Sequence, residues 1–333
     1  MGPLTQTALV VTTAIRYYID MDFGAIINRA YHLVRNSNVL WKLGLLAVFT
    51  EGMVNGIAQT LPSPDFPGSN KQQADLQLQQ ALGRLEQWFT SHLALVAVIS
   101  VVMIVLGVLL WYVSLRAKAG LIITAEDLED NKPAGNFAES FKKGAPFAWR
   151  LLGLYWLVAL SVIIAVGLVA AKLFIAHQLS TTLLVVGLVL LLPALFIFVI
   201  YMSFLMKMAE RHIVLKRARV WESLSYGHKI LTTRFVNSLL ALLIEFGLGI
   251  LFVIAVFAVV VVAVGLGALV LLLLSALLPQ TALAVIAILL MLALLVGIFM
   301  LSGWFAAFQI TYWTLVYRAL SYMVGNKEKL TSN

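Results

Sequence analysis

From Val236 to Leu278 the chain runs for 43 residues with Glu245 as its only charged side chain. Wound as one α-helix, that run would be about 65 Å long, roughly twice the hydrocarbon core of a bilayer. The run is therefore expected to break or tilt, with Gly265-Leu266-Gly267 as the expected break and 268–278 as a short apolar segment before Pro279. It is the extreme case of a general pattern, because 62% of the 333 residues are hydrophobic and only 11% are charged, against about 25% charged in soluble domains. Six apolar spans are expected, at 39–60, 93–115, 151–173, 183–206, 238–262 and 283–305. Lipid offers no partner for a backbone N–H or C=O, and no segment alternates with the period of a barrel strand, so the spans are expected to be helices.

Basic residues orient the spans. Of the 23 Lys and Arg residues, 20 fall in the segment up to Lys42 at the start of span 1, between spans 2 and 3, between spans 4 and 5, or in the tail. Lys71, Arg84 and Lys172 alone fall on the opposite side. Positive residues stay in the cytoplasm, so both termini are expected there, in a prokaryotic cytoplasmic (inner) membrane. The net charge of +8 is then spent on topology and anionic lipid head groups, and nucleic acid is not an expected partner. The absence of cysteine excludes disulfides, thiol nucleophiles and iron–sulfur clusters. Residues 1–19 lack the basic start of a secretory signal and are expected to remain as an arm or interfacial helix.

The segment Glu139-Ser140-Phe141-Lys142-Lys143-Gly144 returns as Glu222-Ser223-Leu224-Ser225-Tyr226-Gly227, each ahead of a span. Phe23 and Ala30 repeat the spacing of Phe137 and Gly144 ahead of span 1. The expected fold is thus all-α, a six-helix membrane domain over 20–320 with a cytoplasmic tail at 321–333. It is built from three units, 20–120, 134–215 and 218–320, each a cytoplasmic amphipathic helix followed by a transmembrane hairpin. Phe137, Phe141 and Phe147 share a face while Lys142 and Lys143 point elsewhere, as in a helix lying among head groups. Gly144 and Pro146 are expected to end that helix and turn the chain inward. On the outer side, 61–70 is expected to be a proline-rich turn. Leu78, Leu82, Leu85 and Phe89 then predict a surface helix over 72–90.

The order F-x-x-S-F-x-x-G-x-x-x-x-W-R-L-L-G from Phe137 carries a resemblance, with A-E-R-x-x-V-L from Ala209, W-E-S-L-x-x-G from Trp221, and Leu40, Trp41 and Leu43 between Asn38 and Gly44. Together these resemble a group of prokaryotic six-span proteins similar to the membrane domain of glycerophosphodiester phosphodiesterases. The resemblance covers about 20–320. It implies a fold and a membrane setting but no activity, and no catalytic phosphodiesterase domain is expected in residues 20–333.

Ionisable groups within spans are the strongest functional hint. Glu51, Glu245 and Gln309 are each expected about 14–16 Å from the cytoplasmic edge, and Asn55 shares a helical stripe with Glu51. No Lys or Arg is expected at that depth, so the group would be a pocket of neutral acids and amides, or alternatively polar glue between helices. Lys142, Lys143, Arg150, Lys216, Arg217 and Arg219 are expected to contact anionic head groups. The acidic group Glu126, Asp127, Glu129 and Asp130 is expected to be a solvated turn before a helix. The five histidines show no metal spacing, His212 being expected at the interface, and no nucleotide, hydrolase or metalloprotease motif occurs. No cofactor or metal is expected.

The expectation is therefore a non-enzymatic membrane scaffold, accessory subunit or lipid-interacting protein, with membrane lipids and a protein partner. The alternative is a transporter of a small solute or lipid that uses the midplane polar layer, with helix interruptions near Pro193 and Gly265 lining its cavity.

Overall fold

The structure, a computed structural model, describes residues 21–56, 83 and 91–331, the side chains of 49–56 and 326–331 excepted. The expected arm at 1–19, the proline-rich turn at 61–70, and all of the surface helix over 72–90 except Gly83 lie outside the described residues. Among the described residues the long elements are helices: α1 (Phe23–Asn36), α2 (Asn38–Gly56), α3 (Leu93–Glu129), α4 (Phe137–Leu179), α5 (Thr181–Lys216), α6 (Val220–Thr233), α7 (Phe235–Ser275) and α8 (Gln280–Thr331). Five of them, α3, α4, α5, α7 and α8, are long and apolar enough to cross a membrane, and Asn38–Val48 of α2 is a shorter apolar stretch.

The chain divides into two compact units, residues 49–114 and the remainder. In the smaller, α3 from Leu93 to Leu110 is exposed except for half-buried Val96 and Gly107. In the larger, burial is confined to one end of the helices, the end rich in basic residues. No residue from 159 to 203 or from 242 to 302 is buried, whereas Leu121, Leu151, Leu154, Phe204, Met208 and Trp313 are sealed.

Small residues bring the helices together at that end. A Cβ on Gly144 would lie 2.1 Å from the Arg116 carbonyl oxygen, and one on Gly120 would lie 2.5 Å from that of Ser140. The backbones of α3 and α4 thus cross in contact, as small residues four apart permit. At the α2–α8 crossing a Cβ on Gly44 would lie 2.3 Å from the Gly303 carbonyl oxygen. Gly227 of α6 sits against Leu205 and Met208 of α5. Ser140 and Ser223, one turn before Gly144 and Gly227, are buried with them. The start of α4 therefore packs on α3, α6 packs on α5, and α1 packs on α8.

Three expectations about helix breaks are corrected. Helix α4 runs unbroken through Gly144 and Pro146, because Gly144 serves the crossing with α3, and Asn136 caps the helix start by accepting from the Glu139 N–H at 2.8 Å. The breaks instead fall at Ser37, between α1 and α2, and at Arg234, between α6 and α7. Helix α7 does not break at Gly265-Leu266-Gly267: a Cβ on Gly265 would meet nothing within 4 Å, and one on Gly267 only a Leu290 methyl at 3.8 Å. Its excess length is partly taken up in the packed end, where Asn237, Ser238 and Ala241 are buried. Helix α5 likewise passes Pro193 without interruption.

Candidate functional site

Where α3, α4 and α5 meet, the sequence places a lysine among small and apolar residues (Leu115, Ala117, Ala119, Leu121) and a glutamate between Met206 and Ile213. Helical spacing turns both inward, and they meet. Lys118 Nζ donates to Glu210 Oε1 at 2.8 Å and to the Tyr155 hydroxyl at 2.6 Å. Tyr155 donates to the same carboxylate oxygen at 2.6 Å. Arg211 donates to the other oxygen, Oε2, at 2.7 Å and to the Lys207 carbonyl at 2.8 Å. Lys118, Glu210 and Arg211 are at most 3% exposed, so water neither screens nor competes for these contacts. Both oxygens of Glu210 are occupied by charge-assisted bonds, which makes the group a clasp joining three helices.

A second pair lies beside it. Lys207 donates to Glu245 of α7, with both side chains largely shielded, and the Lys207 ammonium also faces the Trp313 ring at 5.0 Å. The expectation that no basic residue reaches the depth of Glu245 is thereby corrected: lysine's four-carbon stem carries the charge inward from Lys207. Gln309 is half-buried on α8 and makes no hydrogen bond to Glu245 among the described residues. The side chains of Glu51 and Asn55 lie outside those described.

The acidic residues Glu126, Asp127 and Glu129 are not a turn ahead of α4; they form the last turn of α3, with Asp130 just beyond. They gather cations from three other helices. Arg29 of α1 meets Glu129 at 2.8 Å, Lys143 of α4 meets Asp127 at 3.4 Å, and Arg318 of α8 meets Asp130 at 2.6 Å and Glu126 at 3.3 Å. Hydrogen bonds from Arg318 and Lys132 hold the Asp130 carboxyl below the usual carboxylate range.

The expected head-group contacts divide accordingly. Lys142, Lys216 and Arg219 are exposed. Lys143 is engaged by Asp127 and Glu139. Arg150 donates to the Arg217 carbonyl at 2.8 Å, steadying a residue in the left-handed region (φ 57°) that ends α5. His212 is half-buried, stacked on Tyr226 with ring centroids 4.2 Å apart, and its Nδ1 lies 2.8 Å from the Tyr317 hydroxyl. It borders a polar hollow of about 320 Å³ with Glu222, Ser225 and Lys229.

Glu210, Lys118 and Tyr155 are the site residues that sequence reasoning missed. The signal was present in Lys118, whose neighbours three and four residues away are Ser114, Leu115, Leu121 and Ile122, an apolar face that a free lysine would not share. The chain matches no protein-family model, no curated protein and no solved structure.

Proposed function

We propose that this protein is a non-enzymatic scaffold or accessory subunit of a prokaryotic cytoplasmic membrane, with both termini in the cytoplasm, lipids around it and a protein partner. The observation that carries this reading is the distribution of burial. The most apolar stretches of α3, α5, α7 and α8 contain no buried residue, while the basic end is clasped by Lys118, Glu210 and Arg211. Apolar helices gain little by leaving lipid for one another, so the arms are free to meet lipid or another membrane protein. The basic end would form the base from which they project.

In the same reading the chain is three repeated units. The segment opening each unit packs on the helix that closes the unit before it, and α1 closes the ring on α8. Contacts of α4 with α3, α6 with α5 and α1 with α8 support this order. So does the shared burial of Ser140 with Gly144 and of Ser223 with Gly227.

The transporter reading, with Glu51, Asn55, Glu245 and Gln309 as its polar layer, loses two supports. The Glu245 carboxylate is taken by Lys207, and the helices carrying Pro193 and Gly265 are unbroken. The test is isolation of the tagged chain from its membrane in nanodiscs, followed by protein and lipid mass spectrometry. A stoichiometric protein partner is expected. Isolation as a partner-free monomer that moves a solute in proteoliposomes would overturn the proposal.

A further inference from the structure

Helix α1 buries Ala30, Leu33 and Val34 but leaves the neighbouring stripe uncovered. Gly24, Ile27, Asn28 and Tyr31 follow the spacing of one helical face and form one wall of an open crevice of about 480 Å³. The facing wall comes from α7 and α8, with Phe252, Trp304 and Phe305 among its residues. Phe252 and Phe305 stack at 4.0 Å, and Trp304 meets the Tyr31 ring edge-on at 5.9 Å. Asn28 is the one amide in an otherwise apolar and aromatic lining.

The two ends of the crevice differ in charge. Arg35 stands one turn beyond Tyr31, its guanidinium 5.9 Å from the Tyr31 ring centroid, and among the described residues no carboxylate pairs with it. Asp22 stands at the opposite end, capping α1 by accepting from the Ala25 N–H at 2.9 Å. An anion is thus attracted at the Arg35 end and repelled at the Asp22 end. The volume equals about sixteen water-sized groups at ~30 Å³ each, the size of a single membrane acyl chain.

We propose that this crevice holds one acyl chain of an anionic phospholipid, with its phosphate at Arg35. The proposal rests on the lipid-interacting reading above and names the lipid class and its seat. A polar headgroup would find only Asn28 within the slot, whereas a hydrocarbon chain meets apolar walls along its length. The phosphate stays at the rim, where Arg35 offers a planar, permanently charged donor.

The test uses the full chain in nanodiscs of equal phosphatidylglycerol and phosphatidylcholine, extracted into mild detergent and weighed by native mass spectrometry. One phosphatidylglycerol is expected to survive delipidation. Asn28→Trp fills the slot from the exposed side of α1 and is expected to lower that retention by about tenfold or more, a difference of about 1.4 kcal/mol. Arg35→Gln is expected to retain a lipid but to lose the preference between headgroups. Equal phosphatidylglycerol retention by wild type and Asn28→Trp, or an unchanged preference in Arg35→Gln, would overturn the assignment. Should Asn28→Trp fail to fold, a photoreactive phenylalanine analogue at position 28 decides: a lipid-mass adduct supports the proposal, and an adduct to a second copy or another protein sinks it. Partner capture by the Asn28→Trp chain is read separately, so loss of the lipid leaves the scaffold proposal intact and loss of the partner leaves the lipid proposal intact.

Discussion

Lys118 Nζ sits 2.8 Å from Glu210 Oε1 with both side chains closed off from solvent, and α3 and α5 are bound to each other through that contact. Removing the carboxylate takes the counter-ion from both Lys118 and Arg211 in a place closed to water, at a cost of about 3–5 kcal/mol. Glu210→Gln is expected to destabilise the protein by that order in detergent unfolding followed by circular dichroism. The triple substitution Lys118→Met/Glu210→Leu/Arg211→Met is expected to recover most of the loss, since it replaces every charge of the clasp by an apolar side chain of similar volume and leaves no buried cation without its carboxylate. A triple mutant no more stable than Glu210→Gln would contradict this account.

Gly144 and Pro146 are expected to behave oppositely although both were expected to end a helix. Gly144→Val places a side chain against the Arg116 carbonyl, where the backbone of α3 must move, and a loss of about 1–3 kcal/mol or more follows. Pro146→Ala restores a helical hydrogen bond at an exposed position and is expected to gain stability, by up to ~3 kcal/mol. Thermal unfolding of the two variants side by side checks the contrast.

Asp130 gives a pH dependence. Its folded-state pKa is lowered by Arg318 and Lys132, so its contribution is fully present above the unfolded carboxylate value, near 3.9. That contribution is lost as pH falls through the lower folded value. Asp130→Asn is expected to flatten the stability profile below about pH 4, with little change between Asp130→Asn and wild type in its slope above pH 5. Melting temperatures measured from pH 3 to pH 7 test it.

Glu245→Gln is expected to leave Lys207 shielded and unpaired, costing about 1–3 kcal/mol, whereas Lys207→Met/Glu245→Gln costs less than the single change. Urea unfolding of the three proteins measures the coupling. Additive losses would show that the pair contributes nothing.

The sequence made the helical, membrane-type character legible because burial in lipid demands long uninterrupted apolar runs, and Val236–Leu278 is one. It also exposed Gly144 and Gly227 as special positions. It misled about what Gly144 does, since a glycine admits either a bend or a touching neighbour, and only the position of Arg116 on another helix decides between them. Glu245 was visible as a carboxylate in an apolar run, but its partner Lys207 lies 38 residues away and was counted among the basic residues that orient the spans. Glu210 and Lys118 were hidden for the same reason. Pairing between helices is not a local property, and net charge counts treat a clasped lysine and a solvated one alike.

The contact of α1 with α8 carries a consequence for biosynthesis. The earliest helix described here finds its companion only when the ribosome has delivered the last one, some 250 residues later. Until then the face of α1 that meets α8 lacks its companion helix, although Arg29 can already reach Glu129 of α3. The nascent chain must shelter that surface in the bilayer or against an insertion factor throughout translation.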